Sequence, residues 1–149
     1  MQKRSIPAGG HVLVCDGGKA LILENAGDEV FPNLKTLWTS ESGSRPSREL
    51  GADRPGRAYE SVGTRRSAVE ETDLQDQAEE EFARALCGRL DDLATAGGLK
   101  SLIVVAPPRM LADLRRFFSP RIRERITDEV DKDLTRLPVY EIEQRLTTD

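Results

Sequence analysis

The sequence predicts an α/β fold: a mixed β-sheet of about five strands flanked by helices, with a long polar insert. Three features carry that expectation. Two short apolar runs, His11 to Cys15 (HVLVC) and Ala20 to Glu24 (ALILE), are joined by a glycine turn. A further run, Leu102 to Ala106 (LIVVA), is apolar without interruption, and a long amphipathic stretch precedes it. At 149 residues the chain has the size of one domain, so residues 1–149 are read as a single α/β unit. Only 38% of its residues are apolar and 32% are charged, so part of it is too polar to pack. That part is 42–73, where Gly, Pro, Ser, Arg and Glu dominate. Burial there cannot offset the entropy of ordering, and a flexible insert is expected.

Asp16, Gly17, Gly18 and Lys19 between the first two runs make a hairpin turn, which sets those runs side by side as antiparallel strands. After Gly27, Asp28 and Pro32, the stretch Leu34 to Ser40 sets Leu34, Thr36 and Trp38 against Lys35, Leu37 and Thr39. That is the period of a partly exposed third strand, with Trp38 toward the core. Beyond the insert, Thr72 and Gln75 stand in capping-box spacing ahead of Leu74, Ala78, Phe82, Leu86, Leu90 and Leu93. They mark a long amphipathic helix that ends before Gly97 and Gly98.

Leu102 to Ala106, closed by Pro107 and Pro108, has the composition of a strand buried on both faces and is expected in the middle of the sheet. Pro108 opens a helix carrying Leu111, Leu114, Phe117 and Phe118 at helical spacing, and Ser119-Pro120 starts another turn set with Ile122. Ile126 to Val130 reads as the last strand. Val139, Ile142 and Leu146 mark a closing helix after Pro138.

Candidate chemistry is sparse. The single histidine, His11, removes any His-pair metal site and leaves no Ser/His/Asp set with a nameable partner, so it is read as structural. Cys15 and Cys87 lie in apolar stretches without the spacing of a zinc site and are read as buried thiols. The Asp16 to Lys19 turn leads into a strand rather than a helix, which makes it a hairpin and not a phosphate cradle. Glu70, Glu71, Asp73, Asp76, Glu79, Glu80 and Glu81 read as a solvated helix face, the earliest of them complementing the helix dipole. Carboxylates leave one catalytic alternative. Asp16 with Asp131 or Asp133 could converge on a divalent metal, as in ribonuclease H-like nucleases, because metal-dependent phosphodiester cleavage needs such oxygens close to the ions. Turn and cap roles explain the same aspartates, so no catalytic residue, metal ligand or cofactor is assigned.

The formal charge of −4 argues against nucleic-acid binding by the whole surface and leaves local patches as the candidates. One is the insert, with Arg45, Arg48, Arg54, Arg57, Arg65 and Arg66 against Glu49, Asp53 and Glu60. The other is Arg109, Arg115, Arg116, Arg121, Arg123 and Arg125, on the helices after the buried strand. Met1 to Gly10 holds Lys3 and Arg4 with no apolar block of signal-peptide length, and no stretch approaches the ~18 to 20 apolar residues of a membrane span. The cytoplasm is therefore the expected location, without a membrane partner.

Read in order, VLVCDGGKALILEN (Val12 to Asn25), EFARALCGRL (Glu81 to Leu90), LIVVAPPRMLADLR (Leu102 to Arg115) and EVDKDLT (Glu129 to Thr135) resemble the bacterial host attachment protein family. The resemblance covers nearly all of the chain except the insert. That family is similar in turn to the central domain of the class I release factors of eukaryotes and archaea, an α/β fold in the ribonuclease H-like style. There, a loop between a strand and the long helix carries a Gly-Gly-Gln tripeptide that promotes peptidyl-tRNA hydrolysis. Residues 42–73 occupy the corresponding place here and contain no Gly-Gly-Gln, so that activity is not carried over. The resemblance implies a part in attachment to host cells. The residues fit an indirect, cytosolic and non-enzymatic role, with ribosomes or RNA as partners of the two arginine groups. A metal-dependent hydrolase and a protein-interaction module acting through the insert are the alternatives.

Overall fold

The computed structural model describes residues 4–41 and 64–148, and the side chains of the long helix from residue 74 onward. The predicted insert of 42–73 falls outside the described residues, except that helix already begins at Thr64. The elements are β1 (His11–Cys15), β2 (Lys19–Asn25), β3 (Leu34–Glu41), α1 (Thr64–Thr95), β4 (Leu102–Ala106), α2 (Pro108–Phe117), α3 (Pro120–Arg125), β5 (Ile126–Asp131) and α4 (Val139–Thr147). They build the expected mixed five-stranded sheet, in the order β3-β2-β1-β4-β5. β1, β2 and β3 pair antiparallel, whereas β4 and β5 join β1 in parallel.

The middle of the sheet is β1, not β4 as the sequence reading had it. Both strands are buried at every residue. Double-sided burial identifies an interior strand but does not rank two of them; the hairpin places β2 on one flank of β1 and leaves the other flank to β4.

Strand alternation divides the core between two faces. On one, Leu13, Cys15, Ala20, Ile22, Leu102, Val104 and Ala106 pack under α1, α2 and α3. On the other, Val12, Val14, Leu23, Ile103, Val105 and Val130 pack with Ile6, Leu134 and the α4 residues Ile142 and Leu146. Trp38 packs toward the core against the first cluster as expected, but Leu34, which the alternation set on the same face, is buried in the second. Leu37 is the extra residue of a bulge, because Ile22 pairs with Trp38 while Leu23 pairs with Thr36.

α1 departs from its predicted bounds at the start. Thr72 and Gln75 lie inside the helix, and Leu74, placed on the apolar stripe by its spacing, is 62% exposed. Good helix formers upstream let the helix begin before the first cap-like pair. The buried series begins only at Phe82 and runs through Ala83, Leu86, Cys87 and Leu90 to Ala94. Its C-terminus closes as the glycines predict. Gly97 sits at φ +81°, its N–H donates to the Ala94 carbonyl at 3.0 Å, and the Gly98 N–H reaches the Leu93 carbonyl at 2.9 Å. α2 and α3 start at Pro108 and Pro120, and the Ser119 hydroxyl accepts from the Ile122 N–H.

Two glycines of this region should respond oppositely to alanine. Gly88 is exposed inside α1 with open space where a Cβ would be, so Gly88→Ala should stabilise the fold by about 0.5–1 kcal/mol. Gly97→Ala forces a Cβ into the left-handed region and should destabilise it by about 1 kcal/mol. Urea unfolding of both variants checks the signs.

Candidate functional site

The parallel strands β1, β4 and β5 end on one edge of the sheet, the place where open α/β sheets gather their functional groups. Asp16 follows β1 there. Its Oδ1 accepts from the N–H groups of Gly18 (2.8 Å) and Lys19 (2.7 Å), which holds the hairpin turn. Its Oδ2 lies 3.0 Å from the Thr135 hydroxyl, and that hydroxyl lies 2.7 Å from Asp133 Oδ1. Asp133 also accepts from the Thr135 N–H at 3.2 Å. Thr135 is 3% exposed. A hydroxyl has one proton, so Thr135 serves one of the two carboxylates at a time.

Asp16 and Asp133 are thus brought together as the sequence allowed, whereas Asp131 is not. Asp131 sits on the β5 ladder opposite Ala106, is exposed, and its charge acts on Arg115 instead. Nearby, Glu79 of α1 crowds the hairpin turn so closely that a Cβ on Gly17 would stand 2.6 Å from its Oε2. Burial raises the Glu79 carboxyl above its ordinary value, and Asp76, Asp113 and Asp16 add to the rise against Arg109. Among the described residues no three His, Cys, Asp or Glu side chains are arranged to hold a metal ion.

The arginines after β4 fall into two kinds. Arg109 pairs with Asp76 at 2.5 Å and stands 3.8 Å from Glu79; Arg115 pairs with Glu129 at 2.5 Å; Arg116 meets Glu80 at 3.4 Å and Asp113 at 3.5 Å. These pairs balance most of the positive charge of α2. The α3 arginines bind neutral groups instead. Arg121 donates to the Thr95 hydroxyl at the end of α1 (2.5 Å), Arg123 to the Arg115 carbonyl (2.8 Å), and Arg125 to the Leu99 carbonyl (2.8 Å) and the Arg121 carbonyl (2.7 Å). One hydroxyl and three carbonyls are the acceptors, so no carboxylate of the described residues offsets their charge. None of the three has a carboxylate partner among the described residues. Of the insert group, Arg45, Arg48, Arg54 and Arg57 lie outside the described residues, and Arg65 and Arg66 fall in the first turn of α1.

Both cysteines are buried, and burial pushes the Cys87 thiol up to about 12 and raises Cys15 as well. His11 is 2% exposed, and neither ring nitrogen has a hydrogen bond. Its Nε2 lies 3.5 Å from Glu24 Oε2, which makes the carboxylate an electrostatic neighbour rather than an acceptor. Burial lowers the His11 value and Glu24 opposes that shift. No helix among the described residues is long and apolar enough to cross a membrane.

A family model described as "protein required for attachment to host cells" matches residues 11–146. No curated protein matches the chain. Among solved structures, the crystal structure of an archaeal translation termination factor aligns with 83% of this chain and 30% of its own, at 16% identity and a TM-score of 0.46. The chain thus spans under a third of that factor's length.

Two substitutions test this region. Thr135→Val keeps the shape but removes the one hydroxyl proton that the two carboxylates share, and should cost about 1–3 kcal/mol in urea unfolding. For His11, the lowered folded-state value means that below its ordinary 6.5 the unfolded chain takes up a proton that the folded chain refuses. Stability should therefore be full above about pH 6.5 and decline as the pH falls from there toward the folded value. In His11→Leu that part of the pH dependence should vanish from thermal melts.

Proposed function

Because the chain belongs to the family of proteins required for attachment to host cells, matched across residues 11–146, we propose that it serves attachment from the cytoplasm as a non-catalytic RNA-binding protein. Ribosomal RNA is the abundant target on this reading, and the effect on attachment runs through what the cell synthesises. The observation that supports it is the set of α3 arginines, Arg121, Arg123 and Arg125, cationic and without carboxylate partners among the described residues. Arginine donors serve phosphates well because their fork matches phosphate oxygens and the charge is permanent.

Arg109, Arg115 and Arg116 play a lesser part in this proposal. Each already faces carboxylates, and an RNA phosphate would have to displace or repel them. Arg45, Arg48, Arg54, Arg57, Arg65 and Arg66 precede or open α1 and would add a second basic contact, in keeping with the arginine-rich segments by which many proteins grip RNA. An acidic chain with a local basic edge would bind RNA weakly, at low salt, and in one orientation.

The test is co-sedimentation with ribosomes and filter binding of single-stranded RNA across a salt series. Association should weaken steeply with salt. Removing Arg121 and Arg125 together by substitution to Gln should flatten the slope of log affinity against log salt by about 0.7 per lost phosphate contact. Replacing residues 43–63 with a short neutral linker, which spares α1, should weaken binding further. Salt-insensitive association, or one that survives nuclease treatment, would assign the partner to protein instead.

A further inference from the structure

We infer that the cavity between the end of α2, α3 and β5 is a pocket for a single nucleotide of the bound RNA, and that it prefers guanine. The inference rests on the RNA reading above and narrows it to one site. The cavity measures about 400 Å³ and is lined by Arg115, Phe118, Arg123, Ile126 and Glu129. That is the lower part of the range of small-molecule sites, ~300 to 1,000 Å³, and suits one nucleobase rather than a helical duplex.

The lining combines three kinds of group. Arg115 commits Nε and Nη2 to one oxygen of Glu129, at 2.9 and 2.5 Å, which leaves its Nη1 and Glu129 Oε2 without a partner among the described residues. Arg123 gives Nη2 to the Arg115 carbonyl and keeps Nε and Nη1 available. That carbonyl contact, together with the Glu129 pair, fixes both guanidinium groups at the mouth before any ligand arrives, so less side-chain freedom is lost on binding. Phe118 and Ile126 supply the apolar wall, the first almost wholly buried and the second partly.

A ligand that uses all of these needs an anion for the free guanidinium N–H groups, an N–H donor for Glu129 Oε2, and a flat body against Phe118, Ile126 and the guanidinium planes. Inorganic phosphate meets only the first need and is repelled by Glu129. An aliphatic acid lacks the donor and the flat body. A nucleotide meets all three, because RNA bases lie against arginine planes and apolar walls and offer their edges to side chains. Guanine presents two neighbouring N–H donors along one edge, and both can converge on the two lone pairs of Glu129 Oε2, whereas uracil offers a single N–H there.

The test titrates guanosine monophosphate and uridine monophosphate into the full chain while NMR follows the Ile126 methyls and the amides of Arg115 and Phe118, with RNA binding measured on the same preparations. Saturable shifts at these residues with the guanine nucleotide and weaker ones with the uracil nucleotide are expected. Glu129→Gln should erase that preference, and Arg123→Gln should weaken guanine nucleotide binding by about tenfold. Should Arg123→Gln loosen the fold through the lost α2 contact, the size-conserving Glu129→Gln decides alone. If RNA still binds with dependence on salt, Arg121 and Arg125 while neither mononucleotide shifts the pocket, the pocket is overturned and the RNA reading stands. Equal shifts from both nucleotides and inorganic phosphate, indifferent to Glu129→Gln, would also overturn it. Loss of both RNA and mononucleotide binding would remove the two readings together.

Discussion

The parallel pairing of β1 with β4 holds this molecule together. His11 to Val14 run beside Leu102 to Val105, and neither strand has an exposed residue. The ladder joins the antiparallel meander, which would be marginal alone, to the helical half of the chain that follows α1. Parallel neighbours need a long crossover, and α1 supplies it across one face. Because side chains alternate, the same two strands seed both hydrophobic clusters, each buried Val, Leu or Ile contributing roughly 1.5–3 kcal/mol. Everything else packs onto those two faces.

Charge is distributed by the same architecture. α1 lies against α2, so the acidic positions of the first meet the arginines of the second, and Asp76, Glu79 and Glu80 balance Arg109 and Arg116. α3 stands past the zone of those acids and binds the Thr95 hydroxyl at the end of α1 and the Arg115 carbonyl of α2. Its three arginines therefore retain their charge on a protein whose formal net charge is −4. Cation–π contacts hold Arg84 and Arg116 on Phe117 and Arg89 on Trp38, which uses further arginines to cover aromatic surface.

Much of the fold is written in local signals. The glycine hairpin, the LIVVA strand, the prolines that open α2 and α3, and the glycines that close α1 each depend on residues a few positions apart, and each appears as expected. The sequence is ambiguous where the deciding partner is distant or where two local solutions are equivalent. β1 and β4 look alike as buried runs, so their rank in the sheet was not legible. The cap-like pair Thr72 and Gln75 was passed over because helix-compatible residues precede it. In the candidate site, Asp16 and Asp133 were singled out, but Thr135, their link across 119 positions, carried no local signal. Nor did the pairing of Arg115 with Glu129, which turns a plain basic helix into one wall of a cavity.

The bulge at Leu37 has a consequence for how copies of this chain behave at high concentration. β3 and β5 are the outermost strands, and an outer strand offers unpaired backbone groups to any passing strand. On β5, Arg4 pairs with Asp128 and Arg115 with Glu129, which leaves the exposed Asp131 as the charge that would repel its counterpart in a second copy. β3 has Lys35 and the extra residue, which twists its outer rim and spoils the even spacing that continuous pairing requires. The sheet is thereby guarded against growing into a filament, on one side by like charge and on the other by a mismatch of shape.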